Sequence, residues 1–222
     1  MSLQERQAEL VSTHQAVQEA GLPYVLVGGW AVSAFQTRFT TDVDMVLPED
    51  SLLSELGFEK QFDSDVSNVY EGRTIRYEKA VGENAVQFDA LVNAMRCRQT
   101  DAEWSFRYLY EHSVIESIDV APDLEGRIPE PALLFALKLH SGRLADTRDL
   151  VVISTQADLD SIGRHLRRGD PDKLRGRIDA VLNRLADEGF EDSFKGVFQQ
   201  GELPVEAIGE LRTLLDEQRQ ML

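Results

Sequence analysis

Residues 28–44 constrain this chain most: Gly28-Gly29-Trp30, a short amphipathic run, then Thr41-Asp42-Val43-Asp44. Tyr24-Val25-Leu26-Val27 just before is an apolar run of strand length, and Trp30 to Gln36 has helical spacing. Val43, Met45, Val46 and Leu47 then resume a strand. The paired glycines let the backbone turn tightly with no Cβ in the way. A strand running into glycines at a helix N-terminus offers backbone N–H groups to a phosphate. Strand alternation puts Asp42 and Asp44 on one face, with Val43 packing behind. Two carboxylates beside a phosphate cradle suit Mg²⁺ (or Mn²⁺) bridging to a triphosphate.

A third acid lies in Val86-Gln87-Phe88-Asp89-Ala90-Leu91-Val92, where Asp89 interrupts an otherwise apolar strand. Burying a carboxylate costs several kcal/mol unless something pairs with it. A metal held by Asp42 and Asp44 on a neighbouring strand would be such a partner. Asp89 would then help position and deprotonate an acceptor hydroxyl. The plainer reading is that Asp89 lies on a solvated face of the sheet.

Composition excludes several classes. The 222 residues carry a formal net charge of −16, and Arg greatly outnumbers Lys. Such a chain is soluble and repels polyanions at low ionic strength. It reads either as an ordinary acidic protein or as one adapted to molar salt, where a Debye length of about 3 Å screens self-repulsion. Scarce Lys with abundant Asp and Glu favours the halophilic reading. The lone Cys97 excludes a disulfide within the chain and suits a reducing compartment. No apolar run approaches the roughly 18 residues of a membrane span, and no signal-peptide core is visible. The expectation is a cytoplasmic monomer with no membrane partner.

The pattern along the chain divides in two. Ser2 to Ala20 reads as an amphipathic helix with Leu3, Leu10, Val11 and Val17 inward, closed by Gly21. A short helix is expected over 50–56 and strands over 58–62, 66–71, 73–79 and 85–92, with Gly82-Glu83-Asn84 as a turn. A helix over 101–110 and a strand over 113–120 follow. From Glu130 onward helices are expected over 130–142, 147–155, 158–168, 171–187 and 204–220, with Gly201-Glu202-Leu203-Pro204 as a turn. The fold class is α+β: a small mixed β-sheet with flanking helices (residues 1–128), plus a helical C-terminal part (129–222) packed on that core.

Gly28-Gly29, twelve intervening residues, Asp42-Val43-Asp44 and a later strand acid at Asp89 together resemble the nucleotidyltransferase superfamily with the DNA polymerase β-like fold. The match covers roughly residues 22–92. The resemblance implies that Gly28 and Gly29 grip a nucleoside triphosphate and that Asp42, Asp44 and Asp89 bind divalent metal. The family often has Arg before the first Asp; here Thr41 stands there, with Arg38 three positions earlier. Arg38 and Thr41 are therefore the candidates for phosphate contact from that turn.

Lys138-Leu139-His140-Ser141-Gly142-Arg143, followed by Asp146-Thr147-Arg148-Asp149-Leu150, is similar to the AbiEii-like branch of toxin nucleotidyltransferases from toxin–antitoxin systems. That likeness implies an active-site Lys138 and Asp146. Leu133, Leu134, Leu137 and Leu144 would hold the helix, Lys138 would meet the triphosphate as a point charge, and Arg143 would touch phosphate or pair with an acid. Asp146 could equally cap the next helix with Asp149 as a companion. The expected site is the cleft between the two parts. The acceptor implied is an RNA 3′ end, such as that of tRNA, or a protein side chain, and an antitoxin protein is a possible partner. Two other readings stay open: an inactive nucleotide-binding regulator, and a small-molecule transferase acting on aminoglycoside-like acceptors. His140 reads as a satisfied helix residue, while His14, His112 and His165 lack metal-ligand spacing. Trp30 and Phe35 read as core, and Arg164, Arg167 and Arg168 as a solvated basic face.

Overall fold

The computed structural model describes residues 3–38, 40, 42–64, 72–81, 84–198 and 204–222. Thr41, the expected strand over 66–71, the Ser2 start of the first helix and the turns at 82–83 and 201–203 lie outside them. The chain is α+β, with a small mixed sheet, flanking helices and a helical C-terminal part. It forms two compact units.

The first unit comprises residues 1–34, 39–95 and 104–129. It opens with α1 (Leu3–Glu19), β1 (Val25–Val27), α2 (Gly28–Ser33), β2 (Asp42–Leu47) and α3 (Ser51–Glu55). Next come β3 (Glu59–Asp63), β4 (Arg73–Val81) and β5 (Asn84–Val92). These strands form one five-stranded sheet in the order β1-β2-β5-β4-β3. Only β2 and β5 run parallel; the other neighbours are antiparallel.

Period-two alternation decides which face is dry. Val43, Met45, Ile75, Tyr77, Val86, Phe88 and Ala90 are at most 1% exposed and make the core face. Their strand neighbours Asp42, Asp44, Arg76, Gln87 and Asp89 turn the other way. Leu10 and Val17 of α1 are buried as its spacing predicts.

Past the sheet, β6 (Ala94–Cys97) and β7 (Ala102–Ser105) form a hairpin whose outer part, residues 96–103, groups with the second unit. The helix expected over 101–110 is thus half strand. Ala102 and Trp104 alternate into the core, and the Ser105 hydroxyl then accepts the Tyr108 N–H to start α4 (Phe106–Glu111). A final hairpin pairs β8 (Ser113–Ser117) with β9 (Glu125–Pro129). The alternation of Gly126 and Ile128 into the interior is all that marks β9 in the sequence.

The second unit, residues 35–38, 96–103 and 130–222, is built on α5 (Pro131–Ser141). Every residue from Ala132 to His140 is buried, so this helix is a core element and not an amphipathic surface one. Packed with it are α6 (Leu144–Ser154), α7 (Leu159–Leu166) and α8 (Pro171–Leu185). Then come α9 (Phe190–Phe198), which was not expected, and α10 (Val205–Met221), which lies on α6 and α8. Phe190, Phe194 and Phe198 recur every four residues and are buried, which is why α9 forms. Gly142 closes α5 with φ +60, a left-handed cap that an L side chain disfavours. The chain reverses there, and α6 starts three residues before the expected position 147.

Candidate functional site

The first unit gathers Gly28, Gly29, Asp42, Asp44 and Asp89 at one place on the sheet. Antiparallel pairing sets Val27 against Asp44, and parallel pairing sets Asp44 against Asp89 and Asp42 against Gln87. In-register neighbours share a face, so the three acids form one wall. Gly28 has φ +66, and a Cβ placed on it would lie 1.9 Å from Asp44 Oδ2. Glycine is required twice over, by its dihedral and by the carboxylate occupying the side-chain space. The helix α2 begins at Gly28 itself and ends at Ser33, short of the expected Gln36.

Asp42 accepts a hydrogen bond from the Thr40 hydroxyl at 3.2 Å. Asp89 is held by a residue that the sequence reading missed. Arg76, its register partner on β4, donates from Nε to Oδ1 at 3.0 Å and from Nη2 to Oδ2 at 3.1 Å. This is the forked carboxylate geometry that guanidinium favours. The Gln87 amide lies beside the fork; with its oxygen turned to Arg76 it accepts from Nε at 2.5 Å. Hydrogen bonding to Asp89, with the charges of Asp89, Asp42 and Glu78 nearby, pushes the Arg76 guanidinium above its ordinary pKa. Even so, Arg76 is 49% exposed against 15% for Asp89. An ion pair that open contributes about 1 kcal/mol or less. Of the three acids on this wall, Asp89 is the one that Arg76 forks. The all-oxygen donor set fits a hard divalent cation.

The second unit gathers Lys138, Asp146, Asp149 and Arg38 in a different kind of cluster. Lys138 Nζ lies 2.6 Å from Asp149 Oδ2 and 3.2 Å from Asp146 Oδ1. The other Asp149 oxygen takes Arg38 Nη1 at 2.5 Å. Asp146 also accepts from the Ser141 hydroxyl and, at 3.2 Å, from the Arg143 backbone N–H. Asp146 is therefore the helix-capping acid of α6 as well as a partner of Lys138. Burial alone would raise its carboxyl, but Lys138, Ser141 and Arg143 outweigh that and hold it below the ordinary carboxylate range. Side-chain exposure is 1% for Asp149, 4% for Asp146, 7% for Lys138 and 15% for Arg38. Two cations and two carboxylates balance in a nearly dry place. Removing one partner of such a set typically costs about 3–5 kcal/mol. Arg143 also pairs with an acid, its Nε lying 3.5 Å from Asp146 Oδ2, while 69% of its side chain stays exposed.

His165, given no partner by its sequence spacing, is buried with Nε2 2.9 Å from Glu130 Oε1; the candidates that follow are structural. His140 is fully buried, with Nδ1 2.7 Å from the Thr100 hydroxyl and Nε2 2.9 Å from the Leu166 carbonyl. Burial lowers its pKa to about 4, as it does for His14 against the Tyr24 hydroxyl. Cys97 is buried and its thiol is pushed up to about 12, mainly by desolvation, so it is no nucleophile. Trp30 is core at 1% exposure. Arg168 donates to the Glu103 carbonyl while Arg167 reaches the Met221 sulfur, so these two do not act together.

No helix among the described residues is long and apolar enough to cross a membrane. No protein-family model and no curated protein matches the chain. Among solved structures, the crystal structure of JHP933 from Helicobacter pylori is similar at 15% identity, covering 100% of this chain and 94% of that one, with a TM-score of 0.47. A second, described as "putative nucleotidyltransferase from H. pylori", is 16% identical over 100% and 97% of the two chains, also with a TM-score of 0.47. The functional reading rests on this chain's own residues.

Proposed function

We propose that the chain is a metal-dependent nucleotidyltransferase that moves an NMP from an NTP to a hydroxyl acceptor. The single observation that carries this reading is the wall itself: Gly28 is held open against Asp44, and Asp44 stands in register with Asp89. Mg²⁺ or Mn²⁺ would be held by Asp42, Asp44 and Asp89, and would neutralise charge developing on phosphoryl oxygens. The protein's own groups do the rest. The turn at Gly28-Gly29 presents backbone N–H groups to the triphosphate, and the missing Cβ of Gly28 lets Asp44 sit directly against that turn. Asp89 aligns the acceptor hydroxyl and takes its proton on a carboxylate oxygen. The freed oxygen attacks the α-phosphorus in line, the bond to the bridging oxygen breaks, and pyrophosphate leaves.

On the helical half, the geometry supports a division of roles. We assign Lys138, Asp146, Asp149 and Arg38 to holding α5, α6 and the 35–38 segment together, because their charges are already compensated. Arg143, paired with Asp146 yet 69% exposed, is retained as the candidate for phosphate contact there. The transferase domain is taken as residues 1–128 and the helical one as 129–222. The acceptor inferred from the sequence resemblance is an RNA 3′ end such as that of tRNA, or a protein side chain. The same resemblance supports a toxin-like role with an antitoxin partner, in a cytoplasmic monomer. The net charge of −16 supports adaptation to high salt.

Replacing Asp42 and Asp44 together by Asn is expected to abolish transfer of label from α-labelled nucleotide to any cellular acceptor. Undiminished labelling by that double variant would end the proposal.

A further inference from the structure

Arg76 sits where a reacting site of this kind needs vacant oxygen. Both its Nε and Nη2 are spent on the two oxygens of Asp89, at 3.0 and 3.1 Å. Asp89 is the acid that β5 places opposite Asp44. A guanidinium fork takes two of the roughly four lone-pair sites of a carboxylate and neutralises its charge, so Arg76 and a cation compete for the same oxygens. The fork is also open to exchange: Arg76 is 49% exposed, with Asp89 and the neighbouring Gln87 amide beside it. A guanidinium fork fits phosphate oxygens as well as it fits a carboxylate.

We propose that Arg76 exchanges partners during substrate loading: it guards Asp89 until a divalent cation takes those oxygens, and then pairs with the phosphates of the incoming nucleotide. The inference rests on the nucleotidyltransferase reading for the wall. It gives Arg76 two effects of opposite sign. Before loading, it weakens cation binding. After loading, it strengthens phosphate binding. A residue that merely braced β4 against β5 would have neither signature.

The test uses the full chain and Arg76→Gln, with thermal stabilisation and calorimetric titration as readouts in place of turnover. The first probe is Mn²⁺ or Mg²⁺ alone; the second is pyrophosphate with the cation saturating. Arg76→Gln is expected to bind the cation about two- to fivefold more tightly, the factor corresponding to loss of a half-exposed ion pair. The same variant is expected to bind pyrophosphate more weakly, by about fivefold or more. Arg73→Gln supplies the charge control. Arg73 is three residues away on the same strand, so it faces the other way, toward Asp50 and Asp63. Its loss should leave both affinities within about 1.5-fold if general charge is not the cause.

Unchanged or weaker cation binding by Arg76→Gln overturns the exchange, and so does unchanged pyrophosphate binding. Equal tightening by Arg73→Gln overturns it as well. If the wild-type chain binds a cation and loses it in the Asp42→Asn/Asp44→Asn double variant, the metal site stands whatever Arg76 does. If neither the wild type nor Arg76→Gln binds any divalent cation, the exchange and the metal-dependent reading fall together.

Discussion

The two units each hold a knot of Asp and basic residues, yet the two knots obey opposite rules. In the second unit, Lys138 bridges Asp146 and Asp149 and Arg38 takes the other Asp149 oxygen, all at most 15% exposed, with the open side chain of Arg143 beside Asp146. In the first, Asp89 pairs with Arg76, which is 49% exposed, and Asp42 and Asp44 stand on the same face of the sheet. A dry, balanced set has already satisfied its charges and holds elements together. A wetter set of carboxylates is the kind that the proposed cation would need. The residue types are nearly the same, so the difference lies in stoichiometry and burial. It also shows why a Lys followed by two acids is weak grounds for assigning catalysis: once buried together, they neutralise one another.

The comparison is most exposed to failure at Asp149. Replacing it by Ala strands Lys138 and Arg38, and is expected to cost about 3–5 kcal/mol in denaturant unfolding. A neutral result would remove the balanced cluster from the framework. Gly28→Ala should follow, at about 1–2 kcal/mol for the left-handed dihedral, with a further loss from the clash with Asp44. Its diagnostic feature is that cation binding falls with it. An Ala variant that keeps both would show that the close approach of Gly28 to Asp44 is not needed.

Acid provides the next test, through His140 of the second unit. Its ordinary pKa of 6.5 falls to about 4 on folding, so the unfolded chain binds the proton more readily. That contribution to stability is complete above pH 6.5 and is lost as pH falls from 6.5 to 4. The slope is at most about 1.4 kcal/mol per pH unit. The lowered Asp146 carboxyl acts in a separate window, below its ordinary value of 3.8. Unfolding of His140→Gln followed across pH 7 to 4 should therefore show a flatter profile than wild type; a parallel one would contradict the assignment.

The smallest effect is expected at Asp44. Asp44→Asn keeps the shape packed against Gly28 and removes one charge, so stability should change by about 1 kcal/mol or less. Cation binding should meanwhile drop sharply. Unfolding of this variant would mean that the open wall is part of the framework after all.

What could be read from the amino acids followed the range of the physics. Asp42, Asp44 and Asp89 were legible because period-two alternation is local, and so was the β2 core face through Val43 and Met45. Arg76 was not, because its partnership depends on the register of β4 against β5, which no run of residues encodes by itself. The turn from α5 into α6 brought Lys138 near Asp146 within eight residues, and that closeness was visible. Arg38 reaches Asp149 across 111 positions, so its role emerged only from the tertiary structure. Propensity also misled. Residues 101–110 look helical as a block, yet Ala102 and Trp104 bury as a strand does, and burial overrode preference.

The one parallel pairing in the sheet has a consequence for the order of assembly. β1 with β2, and β3 through β5, are antiparallel neighbours joined by short segments, so each group closes small loops. Joining β2 to β5 closes a much longer one and is the slower step on topological grounds. Asp42 and Asp44 stand on one side of that seam and Asp89 on the other. Pulse-labelled amide exchange is expected to protect β4 before the β2–β5 ladder, with simultaneous protection counting against this sequence of events. The three carboxylates of the wall thus come together only when that last pairing locks the sheet.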